Sequence, residues 1–385
     1  GSGLGSAAQK CTLRAAILEA NARPGADTIY ILPGTYPITI APINENAQNV
    51  GDFEISSPMT IAKHPSALAT DQVIIDGGNP LPGSPPEQNG LDRLFEIHPT
   101  AGDVTLKNVT LQNGYAEEGG AIQMWSLGKL TLDGVTVKDS WGVEQGGGLN
   151  LGDLNDYVWT VEPENLALLP FGRVDIKRST FTGNGSGGGG AAINNTSGGT
   201  IAISDGSVVT LNPGPIMPDP LDPESFVLVD PSDYPIGAGA IANQARYEAD
   251  GTLTIEDSTI SLNAAEGNGA GILNEGDSTV TIERSILTRN RTHASGGAFY
   301  TDGGTITVTD SEVTKNQAAN GGGLYAGGAE SRWGLRAHFE ITGSEIVENK
   351  AENGGGILSD GGGHMEIADS LFTKNHASDH GAAIA

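Results

Sequence analysis

The sequence holds one cysteine, Cys11, so no internal disulfide can brace it. It has no apolar run of about 18 residues or more, which excludes a membrane-spanning helix. Positive charge is scarce: 20 lysines and arginines stand against 47 aspartates and glutamates, for a formal net charge of −27. Such a balance argues against nucleic acid and anionic membrane as partners and suits solubility, salty surroundings or divalent cations. No secretory signal pattern is visible. The opening Gly1-Ser2-Gly3-Leu4-Gly5-Ser6 reads as the inside of a longer sequence or a processed end.

Glycine, by contrast, is abundant at 57 residues, and it sits at fixed places in a recurring phrase. A glycine-led apolar pair comes first, as in Gly119-Gly120-Ala121-Ile122, Gly147-Gly148-Leu149, Gly322-Gly323-Leu324 and Gly355-Gly356-Ile357. An alternating strand follows, as in Thr252-Leu253-Thr254-Ile255 or Thr305-Ile306-Thr307-Val308. A short unit closing on asparagine completes the phrase, as in Phe181-Thr182-Gly183-Asn184 and Phe372-Thr373-Lys374-Asn375. A period of roughly 26 residues with three short strands predicts a solenoid, whose coils touch only their neighbours. In each coil the alternating leucines and isoleucines face in and the threonines face out.

Residues 11–22 predict one helix, with Leu13, Ala16, Ile17 and Ala20 on a single apolar stripe. Just ahead of a stack of strands it reads as a cap over the first apolar floor. The organisation is then a segment 1–26 with the capping helix and a β-helix over 27–385, regular from about 104. Asparagine at the closing corner predicts a side-chain amide ladder through Asn113, Asn184, Asn212, Asn263, Asn290, Asn316, Asn349 and Asn375, broken by Asp139. Turn propensity is the competing reason for asparagine there. Longer intervals mark insertions at 150–170, 213–236 and 329–337. The first and last should leave from the same edge of the stack, five coils and about 24 Å apart, and the middle one from another corner.

The opening Cys11-Thr12-Leu13-Arg14-Ala15-Ala16-Ile17, with Glu19-Ala20-Asn21-Ala22 and Pro24 to Ile29, resembles the CSLREA-type N-terminal motif of bacterial surface and secreted proteins. Thr12 replaces Ser and Ala15 replaces Glu. The repeats resemble the GGAI and FxxN motifs of polymorphic outer-membrane proteins, matched in full by Gly119–Ile122, Phe181–Asn184 and Phe372–Asn375. The resemblance implies an all-β, right-handed, single-stranded parallel β-helix of the pectate-lyase-like kind. It also implies export and a structural or adhesive role at the bacterial cell surface, with surface proteins, glycans or further copies as partners. It transfers no catalytic residues. The sequence stops mid-phrase at Gly381–Ala385, and the natural protein is expected to continue.

Parallel β-helices also carry polysaccharide lyases and glycosidases, so an enzyme is the alternative. The paired-aspartate, Gly-His-Gly and Arg-x-Lys signature of polygalacturonases is missing: Asn194-Asn195-Thr196 lacks the aspartate. Arg284, Arg289 and Arg291 form a tight arginine group, read as a solvated face or as a lyase's base. The histidines His64, His98, His293, His338, His364, His376 and His380 are scattered and read as isolated surface residues. No cofactor is called for. Calcium could sit in the acidic loop 216–233, with Asp219, Asp222, Glu224, Asp230 and Asp233. Of Trp125, Trp141, Trp159 and Trp333, the last two lie on insertions and are the candidates for partner or glycan contact, against packing on the helix wall.

Overall fold

The computed structural model describes residues 11–40, 50–78, 90–125, 127–152, 172–212, 216–219, 222–228, 239–244, 250–327, 336–360 and 363–385. Within them the chain winds into a parallel β-helix. The first sheet has 11 strands, from Asp27–Ile31 to His364–Ala368, and the second has 11, from Gly34–Pro37 to Leu371–Thr373. The third has ten, from Phe53–Ile55 to Ile357–Ser359. Each coil but the last gives one strand to each sheet. Pairing is in register, so Leu253 lies over Val280 and Val280 over Ile306.

Alternation explains why such short strands suffice. In Thr252–Glu256 the burial pattern alternates, with Leu253 and Ile255 buried. The buried set forms one continuous core, with Phe95, Phe181, Phe299 and Phe339 fully enclosed. At about 25 cal/mol per Å² of apolar surface, this bore drives folding, and each coil closes the one below. The glycine-led turn lets adjacent backbones meet: a Cβ on Gly147 would run into the carbonyl oxygens of Gly185 and Ala191.

Two corners carry stacked polar side chains. Between the second and third sheets, Asn263 Nδ2 donates to Asn290 Oδ1 at 2.9 Å and Asn290 Nδ2 to Asn316 Oδ1 at 3.1 Å. The same bond runs from Asn184 to Asn212, Asn212 to Asn263, Asn316 to Asn349 and Asn349 to Asn375. Asn113 is not part of this ladder. It and Asp139 sit one residue early, at left-handed φ of 58° and 54°, the position that Arg289 and Lys315 hold in later coils. The ladder position there is Gly114, then Ser140, whose Oγ accepts from Gly114 N–H at 3.1 Å. Asparagine suits both the left-handed turn residue and the amide stack, which is why the two positions are confused in sequence.

The other corner, between the first and second sheets, is a serine stack that the sequence reading does not anticipate. Ser258 N–H donates to Ser285 Oγ at 3.2 Å, Ser285 N–H to Ser311 Oγ at 3.1 Å, and Ser311 N–H to Ser344 Oγ at 3.1 Å.

The helix spans Leu13–Asn21, with Thr12 as N-cap accepting from Ala15 N–H at 3.2 Å. Leu13, Ile17 and Ala20 are its buried face. Arg14, off the apolar stripe, is half-buried instead: its guanidinium lies 4.8 Å over the Phe53 ring and donates to the carbonyls of Gly51 and Asp52.

The coils run from residue 27, ahead of the regular register at 104. Asp27–Ile31 already pairs with Met59–Lys63, and that strand with Val104–Lys107. Two insertion bounds also shift. Asn150 and Leu151 belong to a third-sheet strand, and Ala337 is buried beside the first sheet. The interruptions after Gly152 and before Arg336 both lie between a third-sheet and a first-sheet strand, five first-sheet steps apart. That of 213–236 lies between the second and third sheets and contains an antiparallel ribbon, Ile216–Asp219 with Asp222–Leu228. Trp159, Trp333, Asp230 and Asp233 lie outside the described residues.

Candidate functional site

The middle residue of each three-residue strand in the third sheet points away from the core. In the first five coils it is Glu54, Glu96, Gln123, Asn150 and Asn194, stacked in register. All five are buried nonetheless, Glu54 at 3% and Glu96 at 6% exposure. Two further charged residues close around them: Asp52, just before the first strand, and Arg93, on the turn below the second, at 7% and 8%. Buried charge of this density needs partners, since each unpaired group would cost several kcal/mol.

The partners are internal. Arg93 Nη1 lies 2.8 Å from Glu96 Oε2 and 3.3 Å from Asp52 Oδ2, and its Nε and Nη2 donate to the Glu118 carbonyl. Trp125 Nε1 donates to Glu96 Oε1 at 3.1 Å. His98, half-buried, pairs through Nε2 with Glu54 Oε2. Above this knot a chain of amides continues: Asn150 Nδ2 donates to Gln123 Oε1 at 3.1 Å, and Asn194 Nδ2 to Asn150 Oδ1 at 2.8 Å. Glu118 and Gln145 reach in from the short corner strands Tyr115–Glu118 and Trp141–Gln145 to cap it.

One guanidinium therefore serves two enclosed carboxyls. Burial pushes Asp52 up to about 8, against the opposing pull of Arg93. Glu96 is raised by the same burial. The hydrogen bond to Glu54 raises His98 and favours its imidazolium form. Burial thus favours the protonated carboxyl of Asp52, and the bond to Glu54 favours the protonated ring of His98.

Metal binding is the first chemistry to test, because ligand atoms of Glu54, Glu96 and His98 lie within 4.8 Å of one another. Calcium takes six to eight oxygens, roughly. Here both Glu96 oxygens are engaged by Arg93 and Trp125, Glu54 Oε2 is engaged by His98, and the Arg93 charge stands next door. The donor set does not fit calcium. Ligand atoms of Glu54 and Glu96 within 4.8 Å of each other also leave no room for the roughly 6.5–9.5 Å separation by which the carboxylates of an inverting glycosidase straddle the bond and a water.

The cluster corrects the reading of His98 as an isolated surface histidine. Its signal in the sequence is the tripeptide Phe53-Glu54-Ile55 repeated as Phe95-Glu96-Ile97, which stacks two glutamates. The other sequence candidates separate. Arg284 stands at the serine corner, tied to Glu256, Asp257 and Glu283. Arg289 and Arg291 flank the asparagine corner. Trp141 packs on the wall, where its ring would collide with any side chain at position 185. On the same outward column, further along, Tyr300 and Tyr325 stack with ring centroids 5.1 Å apart.

No protein-family model matches the sequence, and neither does any curated protein. Among solved structures the chain is similar to the A-module of a mannuronan C-5 epimerase from Azotobacter vinelandii. The two share 12% identity at a TM-score of 0.49, covering 97% of this chain and 92% of that one. No helix among the described residues is long and apolar enough to cross a membrane.

Proposed function

We propose that the chain is the rod of an exported bacterial surface protein that works by contact rather than by turnover. Its coils give length and a soluble, acidic wall. Its insertions, with Trp159 and Trp333, meet surface proteins or glycans, or join copies of the chain. The observation that carries this reading is the closure of the third-sheet cluster. The residues with acid–base character are enclosed and already bonded to one another, so a substrate would have to break several charge-assisted hydrogen bonds to reach them. The likeness of Cys11–Ile29 to surface-protein N-termini supports export. A calcium ion in the acidic segment 216–233 would brace one insertion. The test is a screen of the chain against acidic and neutral polysaccharides, with and without calcium. Retention of a glycan or a surface protein without product formation supports the reading, and turnover lost in Glu54→Gln sinks it.

A second reading, a carbohydrate-active enzyme, is favoured by one feature: Asp52 holds its proton to about 8 beside a half-buried His98. It requires a substrate-dependent opening over His98. Product formation that follows a bell-shaped pH profile and disappears in His98→Ala would establish it.

A further inference from the structure

A groove of about 470 Å³ runs along the asparagine corner from Leu262 to Lys374. It crosses four coil-to-coil steps, or about 19 Å at ~4.8 Å per step. Its walls hold Arg289, Arg291, Lys315, Lys350 and Lys374, with Glu348 as its single carboxylate. Five of the chain's 20 lysines and arginines thus converge on one strip of a molecule whose net charge is −27. Arg289, Lys315 and Lys374 occupy left-handed backbone at φ of 55°, 59° and 55°, where asparagine or glycine would be less strained. The equivalent turn at the serine corner carries Arg178, Asp257, Arg284, Asp310 and Asp369, and there each arginine is paired with a carboxylate.

The pairing differs as well. Arg93, Arg178 and Arg284 are each bound to carboxylates. Lys315 and Lys374 share Glu348, at 3.8 and 3.1 Å. The exposed side chains of Arg289 and Lys350 make no hydrogen bond or ion pair among the described residues, in a chain with 47 carboxylates to choose from. The exposed Gln317 between them adds an amide suited to hydroxyl groups.

We infer that this groove binds a linear acidic polysaccharide, a carboxylated or sulfated sugar chain laid along the stack axis. Cations repeating at the coil spacing match a polymer with regularly placed anions, the volume lies within the usual range for ligand clefts, and the amide reads sugar hydroxyls. Nucleic acid fits less well because no aromatic ring lines the groove for base stacking. The site is independent of whether the third-sheet cluster turns anything over, since it lies at another corner.

The experiment measures retention of the full 385-residue chain on polygalacturonate, on a sulfated glycan and on neutral dextran, by affinity electrophoresis and titration calorimetry over a salt series. Binding to one or both acidic polymers and not to dextran is expected. It should fall about tenfold or more in the double variant Arg289→Glu, Lys350→Glu, with a shallower salt dependence. The neutral pair Arg289→Gln, Lys350→Gln should lie between, and Asp369→Asn at the opposite corner should bind as the parent does. The carboxylated and sulfated arms separate the two sources of anion. Failure of the parent to bind either polymer overturns the proposal, as does equal binding by a folded charge-reversed variant. Tighter binding of single-stranded DNA through the same residues also overturns it, as does a dimer that only the parent forms in sedimentation and that accounts for all retention.

Discussion

Replacing Asn290 by alanine isolates what the amide ladder contributes. Asn290 is fully buried. Its Oδ1 accepts from Asn263 N–H at 3.1 Å and from Asn263 Nδ2 at 2.9 Å, and its Nδ2 donates to the Ile260 carbonyl at 3.0 Å and to Asn316 Oδ1 at 3.1 Å. Truncation does not strand all four partners. Asn263 Nδ2 keeps the Val209 carbonyl, and Asn316 Oδ1 keeps the Asn290 N–H. Asn263 N–H and the Ile260 carbonyl lose a bond inside the wall. At about 1–3 kcal/mol for each buried group left without it, the cost is ~2–6 kcal/mol, a large share of a typical domain's stability. Asn290→Ser should cost about half, because serine already serves this position at Ser140, accepting from Gly114 N–H and donating to the Lys138 carbonyl at 3.1 Å. Urea titration gives the total. Because coils of a solenoid can open separately, amide hydrogen exchange locates the loss, with Asn263 N–H accelerated and Phe95 N–H unmoved. An alanine variant within about 0.5 kcal/mol of the parent, with Asn263 still protected, would show that asparagine is there for its turn alone.

Three further outcomes follow from the wall and its polar knot. The folded state keeps the Asp52 proton up to about 8 while the unfolded chain releases it near 3.8, so folding takes up a proton and the N-terminal coils lose stability as pH rises from about 4 to about 8. His98, also raised, adds in the same direction, its share complete below about 6.5 and lost as pH climbs past its folded value. Protection of Phe53 and Phe95 amides, corrected for intrinsic exchange, should therefore fall between pH 5 and 8 and flatten in Asp52→Asn; rising protection in the parent contradicts the burial argument. Gly147→Val should prevent soluble expression, since its side chain would enter the carbonyls of the next coil, and a well-folded variant would mean the coils can part there. Ser285→Ala should lower stability by about 1 kcal/mol by orphaning Ser258 N–H, whereas the exposed Arg284→Ala should leave the melting midpoint where it was; equal effects would reject the serine stack as a structural element.

The winding was legible in the sequence wherever coil length is constant. Val104 to Leu130 is one step of 26 residues, but Asp27 to Met59 and Met59 to Val104 are steps of 32 and 45, so the first coils hide their register behind unequal turns. Asparagine stood out because it closes an apolar phrase. The serines were equally regular, five residues ahead of the asparagine in Ser179–Asn184, Ser258–Asn263, Ser285–Asn290 and Ser370–Asn375, yet a reading built on apolar pairs passes over a small polar residue at a corner. Glu96 and His98 share a face two positions apart, but nothing within that segment marks Glu54 as their neighbour, because that contact exists only once coils are stacked.

The same stacking decides how a site can be found in such a chain. Residues close in sequence are carried around corners: Arg284 and Arg289 are five positions apart, yet one meets Asp257 at the serine corner and the other faces the groove at the asparagine corner. Residues one coil apart are about 4.8 Å apart however many positions separate them. The informative unit is then a column at one coil position rather than a segment. Read that way, the outward third-sheet column passes from carboxylates through amides, Ala242 and Leu273 to tyrosines, and the residue before the ladder asparagine passes from Leu211 and Leu262 to Arg289, Lys315, Glu348 and Lys374. A column that changes character along the rod divides its surface into stations at fixed heights. A shift of cations from one coil position to another would leave composition and fold intact and strip the groove of its cationic lining, so the proposed binding depends on the placement of charge more than on its amount.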